Sequence, residues 1–179
     1  MSSTEYVVLV DEKDQEIGLS EKIKAHQKNL LHRAFSVFLF QGEPGKSALL
    51  LQQRAFHKYH SQGLWTNACC SHPRKGEDII EAGMRRLQEE LGITTTLVDV
   101  GWFQYTAHFQ NGLSENEVDH VLVGTLTPDI ILKPNPHEVH ATRWITIDSL
   151  QQALTTHRDQ YTPWLKQALE IIMTSTFTS

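Results

Sequence analysis

The sequence has few cysteines and no long apolar run. Its two cysteines, Cys69 and Cys70, are neighbours, so a bridge between them would close almost no loop and add little stability. The pair indicates free thiols in a reducing compartment and argues against a disulfide-stapled fold. Apolar stretches such as residues 37–40 are far below the roughly 20 residues that span a bilayer. We therefore expect no membrane-spanning segment.

Positive charge is also in short supply. The net charge is −5, most bases precede Leu91, where acids match them, and acids outnumber bases after it. This balance argues against a broad nucleic-acid surface and leaves room for a local basic pocket for a small anion. Residues 1–6 carry an acid where a secretory signal would carry bases. The predicted location is the cytoplasm.

Turning to what is present, 179 residues suit one hydrophobic core better than two, since domains commonly have about 100–200 residues. We predict one domain with its core at about residues 30–160, on which an N-terminal strand and a C-terminal helix pack. The β-rich runs that predict strands are residues 6–10, 34–40, 48–52, 98–109, 118–126 and 143–145. The second and third of these are predicted to pair antiparallel, because glycine and proline separate them.

Residues 78–91 predict the clearest helix. Apolar residues recur at helical spacing, Glu77 or Asp78 can cap the start, and Gly92 stands where a terminating glycine belongs. Further helices are predicted over residues 149–154 and 164–173, and residues 21–29 read as a short helix or a loop. Strands combined with these helices predict an α+β fold, a layered α/β sandwich.

The segment before the predicted helix is rich in reactive groups. Residues 63–72 hold Trp65, both thiols and His72. If this run is extended, adjacent side chains point in opposite directions, so only one thiol can face a given pocket. Each thiol can also be read as a small buried hydrophobe.

Carboxylates and imidazoles provide candidate metal ligands. Glu115 and Glu117 are two positions apart, so on an extended strand they share a face and could chelate one cation or keep one proton between them; a solvated strand face is the alternative. A mixed set that suits zinc, manganese or another divalent ion consists of His26, His32, His72, Glu115 and Glu117. His57, His60 and the other histidines are expected at the surface.

A candidate anion site starts on the predicted helix. Arg86 and Glu90 are four residues apart and share a face, so they could reach a diphosphate and its magnesium ion. An exposed ion pair is the alternative. Lys22, Arg54 and Lys58 could extend the site, because a diphosphate favours a bidentate guanidinium together with compact ammonium charges.

Taken in order, four segments closely resemble the type I isopentenyl-diphosphate isomerase family: LHRAFSVFLF at 31–40, TNACCSHP at 66–73, RR at 85–86 with EELG at 89–92, and ENEV at 115–118. The resemblance runs from about Val8 to Trp164 and implies a Nudix fold, a mixed sheet flanked by helices. Residues 71–93 look like a degraded Nudix box, in which Ser71 replaces the first glycine and Arg86 replaces a metal-binding glutamate. An arginine there favours holding the diphosphate over hydrolysing it.

The resemblance also implies a reaction and its residues. Isopentenyl and dimethylallyl diphosphate would be interconverted through a carbocation-like state in isoprenoid biosynthesis, with Glu117 and Tyr105 delivering one proton and Cys70 removing another. The implied metal ligands are His26, His32, His72, Glu115 and Glu117, binding Mn²⁺, Zn²⁺ or Mg²⁺. Glu90 and the Cys70 carbonyl would hold Mg²⁺ on the diphosphate. The implied substrate contacts are Lys22, Arg54, Lys58, Arg86 and Trp164.

Two other functions fit the same residues. A Nudix pyrophosphohydrolase would use the helix to cut a phosphoanhydride, and a non-catalytic module would only bind the diphosphate. The expected partner is a small isoprenoid diphosphate, with no nucleic acid and no membrane, and the expected assembly is a monomer or weak dimer.

Overall fold

The structure of the protein, a computed structural model, describes residues 3–175. Within that range nine strands join in one mixed sheet and are accompanied by four α-helices. The strands are β1 Tyr6–Val10, β2 Glu16–Glu21, β3 His32–Phe40, β4 Leu49–Arg54, β5 Trp65–Thr66, β6 Cys69–Ser71, β7 Val98–His108, β8 Ser114–Thr125 and β9 Val139–Ile145. The helices are α1 Lys22–Gln27, α2 Ile79–Leu91, α3 Ile147–Thr156 and α4 Leu165–Thr174. The predicted α+β fold is confirmed.

Strand β3 is the centre of the sheet. One of its edges runs parallel to β8, from the pair His32 and Glu117 to the pair Phe40 and Thr125. Its other edge is shared by β1, β6 and β4 in succession. β3 and β4 pair antiparallel, as predicted, but only through Phe40 and Leu49. β6, which contains both cysteines, pairs with residues 35–37 of β3 instead.

Side-chain alternation along β3 divides the core between the two faces of the sheet. Phe35 and Val37 pack with Leu87 and other apolar residues of α2. Phe38 and Phe40 point the other way, into a second cluster that includes residues of α3 and α4. A fully buried side chain of this size contributes about 1.5–3 kcal/mol through burial. The sheet is therefore held between α2 on one side and α3 and α4 on the other.

Within residues 3–175, no helix combines the length and apolar character needed to cross a membrane.

Helix α2 begins and ends as its sequence predicts. Asp78 Oδ1 accepts hydrogen bonds from the backbone N–H groups of Ile80 and Glu81, at 2.8 and 3.3 Å. Asp78, and not Glu77, is thus the N-cap. Gly92 ends the helix in the left-handed region, with φ of 67°. These two caps fix where the helix begins and ends.

Replacing Gly92 with alanine is expected to lower the free energy of unfolding by about 1–2 kcal/mol, because a side chain in the left-handed region is strained. An added Cβ would also lie 2.8 Å from Lys133 Cβ, which should increase the loss. Gly76 is a matched control, since its φ is 73° and nothing lies within 4 Å of its Cβ position. Denaturant unfolding should rank Gly92→Ala as the more destabilising variant, and equal losses would show that the Lys133 contact has no effect.

Candidate active site

A cavity lies where β3 and β4 diverge, and it collects most of the predicted site residues. Those that line it are Lys22, Arg54, Lys58, Cys70, His72, Arg86, Tyr105, Glu115, Glu117 and Trp164. Three further predicted residues, His26, His32 and Glu90, are buried and at most 4% exposed. A wider groove shares several lining residues with the cavity, among them Lys22, Lys58 and Arg86. The cavity thus adjoins a groove in which these three cations lie.

The two cysteines take opposite sides of β6, as strand alternation predicts. Cys69 is fully buried in the core beside α2, and Cys70 faces the cavity. The Cys70 thiol donates to Asn67 Oδ1 at 3.1 Å, and Trp164 Nε1 lies 3.2 Å from Cys70 Sγ. Asn67 is itself fixed, because its amide nitrogen donates to the carbonyls of Val37 and Cys69. The thiol therefore has a defined orientation.

The surroundings of Cys70 favour the neutral thiol. Burial, together with the nearby Asp119 carboxylate, raises the pKa of Cys70 to about 12. Arg54 and a hydrogen bond from Ser36 act in the opposite direction on the pKa. Taking up a proton, the role that the resemblance implies for Cys70, requires the thiolate. Arg54 and Ser36, which lower the pKa of Cys70, are the groups that would favour this thiolate.

Tyr105 joins the two carboxylates of the Glu-Asn-Glu segment. β8 begins at Ser114, earlier than predicted, so Glu115 and Glu117 lie on the strand itself and share a face. The Tyr105 hydroxyl lies 2.6 Å from Glu115 Oε2 and 2.8 Å from Glu117 Oε2. Burial and these carboxylates raise the pKa of Tyr105 well above its usual value, so the phenol keeps its proton. Because a phenol has only one proton to donate, it serves one carboxylate at a time.

Three imidazoles meet beside this carboxylate pair. The ring nitrogens of His26, His32 and His72 lie within 4.8 Å of one another. His26 Nδ1 contacts the Ser114 carbonyl at 2.9 Å, and His32 Nδ1 contacts the Leu30 carbonyl at 2.8 Å. A carbonyl can only accept, so each Nδ1 carries a hydrogen, and a neutral ring then has its lone pair on Nε2. Within residues 3–175, neither His26 Nε2 nor His32 Nε2 has a hydrogen-bond partner.

Glu117 connects the imidazoles to Tyr105. Its Oε1 lies 3.2 Å from His32 Nε2 and 3.0 Å from His72 Nε2. Burial lowers the pKa of His72 to about 3, so this ring is neutral. Burial alone would raise the pKa of Glu117, but the neighbouring His32 and His72 outweigh it and hold that pKa well below its usual range. The contact with Glu117 also raises the pKa of His32 against the effect of burial.

The cations around the cavity differ in how they are neutralised. Lys22 pairs with Glu5 at 2.7 Å, and Lys58 pairs with Glu138 at 2.5 Å. Arg54 is only 9% exposed, and its Nε has no hydrogen-bond partner. Among the ion pairs within residues 3–175, none includes Arg54. A buried guanidinium without a carboxylate is costly unless an anion joins it.

The NUDIX domain family matches residues 30–166. The isopentenyl-diphosphate Delta-isomerase of Aliivibrio fischeri strain MJ11 is 45% identical over 175 residues, which are 96% of both chains. That of Serratia proteamaculans is 46% identical over 162 residues, 89% of this chain and 87% of the relative.

This chain belongs to the isopentenyl-diphosphate Delta-isomerase family. The predicted resemblance is thereby confirmed.

Solved structures agree on the fold of this isomerase-family chain. A Deinococcus radiodurans protein matches with a TM-score of 0.74 over 94% of this chain and 99% of its own, at 18% identity. The MutT protein of Methanosarcina mazei matches with a TM-score of 0.61 over 78% of this chain and 91% of its own, at 16% identity. Identities this low support the fold alone, and the fold is the predicted Nudix fold.

In this isomerase-family chain, arginines form ion pairs with the carboxylates of the Nudix box. Arg85 donates to Glu77 at 2.6 Å and to Glu89 at 3.4 Å. Arg86 contacts Glu90 and Glu89, each at 2.5 Å. Arg86 and Glu90 are buried or half-buried, so the alternative of a simple exposed ion pair is wrong. Glu90 also accepts from Gln52 at 2.9 Å.

The His/Glu cluster, meaning His26, His32, His72, Glu115 and Glu117, fits a divalent ion. One ring nitrogen from each of its imidazoles lies within 4.8 Å of the others, and both carboxylates are at most 5% exposed. Among the described residues, His26 Nε2 and His32 Nε2 lack a hydrogen-bond partner, and a buried polar atom of this kind is costly unless a partner such as a cation joins it. Nitrogen and carboxylate oxygen together suit zinc, manganese or a related ion.

Sequence reasoning missed several residues at the site and misplaced two histidines. His60 is 4% exposed and contacts Glu115, and His120 is 9% exposed and lies between Asp14 and Asp99. The surface expectation for both is wrong, because loop and strand packing encloses them. His57 is exposed as expected. Residues that no pattern singled out but that surround the site are Asn67, Ser36, Asp119 and Glu138.

Proposed function

We propose that the protein interconverts isopentenyl diphosphate and dimethylallyl diphosphate in isoprenoid biosynthesis, using Cys70 and Glu117 as the two proton carriers. The observation that carries this proposal is that a thiol and a tyrosine-linked carboxylate line one cavity, which adjoins a groove that holds several cations. Its relatives, 44–46% identical, bear the name of this reaction.

The reaction adds a proton at one carbon of the allyl unit and removes one at another. Glu117, with Tyr105 at 2.8 Å, delivers or accepts the proton on one side. Cys70, oriented by Asn67 and Trp164, does so on the other side. In the direction from the isopentenyl isomer, Glu117 acts as the acid and Cys70 as the base, and the roles interchange in reverse.

The His/Glu cluster would hold a divalent ion, Mn²⁺, Zn²⁺ or Mg²⁺. When bound, such an ion withdraws electron density from a carboxylate ligand and so strengthens it as an acid. These ligands are also held by contacts that do not involve the ion. Tyr105 contacts Glu115 and Glu117, the Ser114 carbonyl contacts His26, and the Leu30 carbonyl contacts His32.

The substrate diphosphate would lie in the anion pocket, which consists of Lys22, Arg54, Lys58 and Arg86. Arg54 supplies a guanidinium that has no carboxylate partner, and the other cations would exchange their acids for phosphate oxygens. Glu90 and the Cys70 carbonyl would hold Mg²⁺ on the diphosphate.

Trp164 would form the wall beside the hydrocarbon. Its ring is 2% exposed and lies 6.1 Å from the Tyr105 ring. A desolvated cation near an aromatic face gains about 2 kcal/mol, which helps a carbocation-like state. An apolar wall of this kind would also help to keep water from trapping that state as an alcohol.

Replacing Arg54 with glutamine is expected to weaken binding of inorganic diphosphate, and to raise KM for isopentenyl diphosphate, by at least about tenfold, because a hydrogen bond to a charged group contributes about 1.5–3 kcal/mol. The control is Lys24→Gln, which removes the same charge from an exposed position on α1. Calorimetric titration with diphosphate and Mg²⁺ measures both variants. Equal affinities in the two would contradict the anion pocket.

A phosphate-release assay separates this function from hydrolysis. With isopentenyl diphosphate and Mg²⁺, the protein should form the allylic isomer and release neither phosphate nor diphosphate. The arginine contacts on Glu77 and Glu89 oppose the collection of hydrolytic metal ions by these two carboxylates. Stoichiometric phosphate release would instead establish a pyrophosphohydrolase, and binding without turnover would establish a non-catalytic module.

We also propose that the protein works in the cytoplasm, where the free thiols of Cys69 and Cys70 stay reduced. A single domain, and an assembly of a monomer or weak dimer without nucleic acid or membrane, stay predictions.

A further inference from the structure

His60 is a buried histidine that touches the His/Glu cluster without belonging to it. It lies in the loop between β4 and β5 and is 4% exposed. Its Nε2 is 2.9 Å from Glu115 Oε1, and its ring stacks on Phe109 with centroids 4.8 Å apart and planes 14° apart. On the other side of the same carboxylate, the Tyr105 hydroxyl is 2.6 Å from Oε2. Each oxygen of Glu115 therefore has its own neighbour.

The tautomer of His60 follows from these contacts. Its Nδ1 lies 3.3 Å from the Ser61 hydroxyl, which can donate to it. Its Nε2 faces a carboxylate oxygen, which accepts. The neutral ring that satisfies both contacts carries its hydrogen on Nε2, and a protonated nitrogen cannot bind a metal ion.

We propose that His60 is a positioning residue for Glu115, holding Oε1 through the 2.9 Å contact of its Nε2 so that the carboxylate is oriented toward a divalent ion in the His/Glu cluster. This inference rests on the proposed metal centre. Hydrogen bonds to metal-ligating carboxylates tune affinity without contacting the ion. Phe109 sets the plane of the ring, and Tyr105 holds the other oxygen.

His60 also connects the cluster with the anion pocket. Its backbone carbonyl accepts from Arg54 Nη2 at 3.3 Å, while its ring holds Glu115. The loop turns sharply just after it, with Ser61 at φ 50° and Gly63 at φ 71°. One residue thereby fixes the distance between the carboxylate and the guanidinium.

Titration of the full chain with Mn²⁺ in the absence of diphosphate, measured by calorimetry, tests the proposal. His60→Phe keeps a ring for Phe109 but loses the donor, and we expect Mn²⁺ affinity to fall about tenfold or more. His60→Gln supplies an N–H at similar reach and should recover most of that affinity. The control is His57→Phe, an exposed histidine of the same loop, which should bind Mn²⁺ like the unsubstituted protein. Melting temperatures in EDTA identify any variant that is not folded.

Unchanged Mn²⁺ affinity in folded His60→Phe would overturn the inference. So would equal weakening in His60→Phe and His60→Gln, because the ring nitrogen would then bind the ion directly. Failure of the metal centre itself has a different signature, namely that His32→Ala binds Mn²⁺ as well as the unsubstituted protein. If His60→Phe is unfolded in EDTA, the Mn²⁺ affinity of His60→Gln is compared with that of His57→Phe. The inference requires these two affinities to be nearly alike, and much weaker binding by His60→Gln would overturn it.

Discussion

The Cys70→Ala variant is expected to lose about 10²–10⁴-fold in turnover, the usual contribution of a proton-transfer group. The thiol is oriented toward the cavity by Asn67 and Trp164, and no other thiol of the described residues faces that space. Binding of inorganic diphosphate should change little, because the cations of the anion pocket remain. Isomer formation measured by NMR, together with diphosphate titration, separates the two effects.

Cys69→Ala is the matched control for this prediction. Cys69 lies next in sequence but packs in the core beside α2, so its loss should lower stability without removing a proton carrier. We expect turnover close to that of the unsubstituted protein. Near-normal turnover of Cys70→Ala, or an equal loss in both variants, would contradict the assignment of Cys70.

Glu117→Gln is expected to have an effect at least as large, about 10²–10⁴-fold in turnover, because an amide cannot carry the proton. The change also replaces the oxygen that contacts His32 and His72, so Mn²⁺ affinity should fall as well. Turnover and Mn²⁺ titration are measured on the same preparation. A variant that keeps its turnover would eliminate Glu117 as a proton carrier.

Two comparisons sharpen the Glu117 prediction. Tyr105→Phe keeps the ring and removes the hydroxyl shared by both carboxylates, and it should lose less turnover than Glu117→Gln because the carrier remains. Glu16→Gln removes a carboxylate from an exposed position on β2 and should leave turnover unchanged. A Tyr105→Phe variant as impaired as Glu117→Gln would make the phenol the principal proton carrier.

Features that depend on local periodicity could be read from the sequence. Helix α2 has apolar residues at helical spacing and a cap at each end, and both caps occur as predicted. Strand alternation correctly separated Cys69 from Cys70 and placed Glu115 beside Glu117. These predictions succeed because backbone geometry alone sets the direction of neighbouring side chains.

Features that depend on long-range packing could not be read in this way. No local pattern shows that β3 and β4 diverge after one residue pair, since from that point β6 occupies the same edge of β3. His60 looked like any other histidine in a polar loop, and its burial depends on Phe109, which is 49 positions away in the chain. Glu138 likewise reaches Lys58 only because β9 pairs with β4.

The most direct test of the isomerase function is incubation with isopentenyl diphosphate and Mg²⁺ in deuterated water, followed by NMR. If Cys70 and Glu117 exchange protons with the allyl unit, dimethylallyl diphosphate forms with deuterium on carbon and without phosphate release. An isomer lacking deuterium would contradict proton transfer through exchangeable side chains, and an unchanged substrate at full Mn²⁺ and Mg²⁺ occupancy would contradict the isomerase function itself.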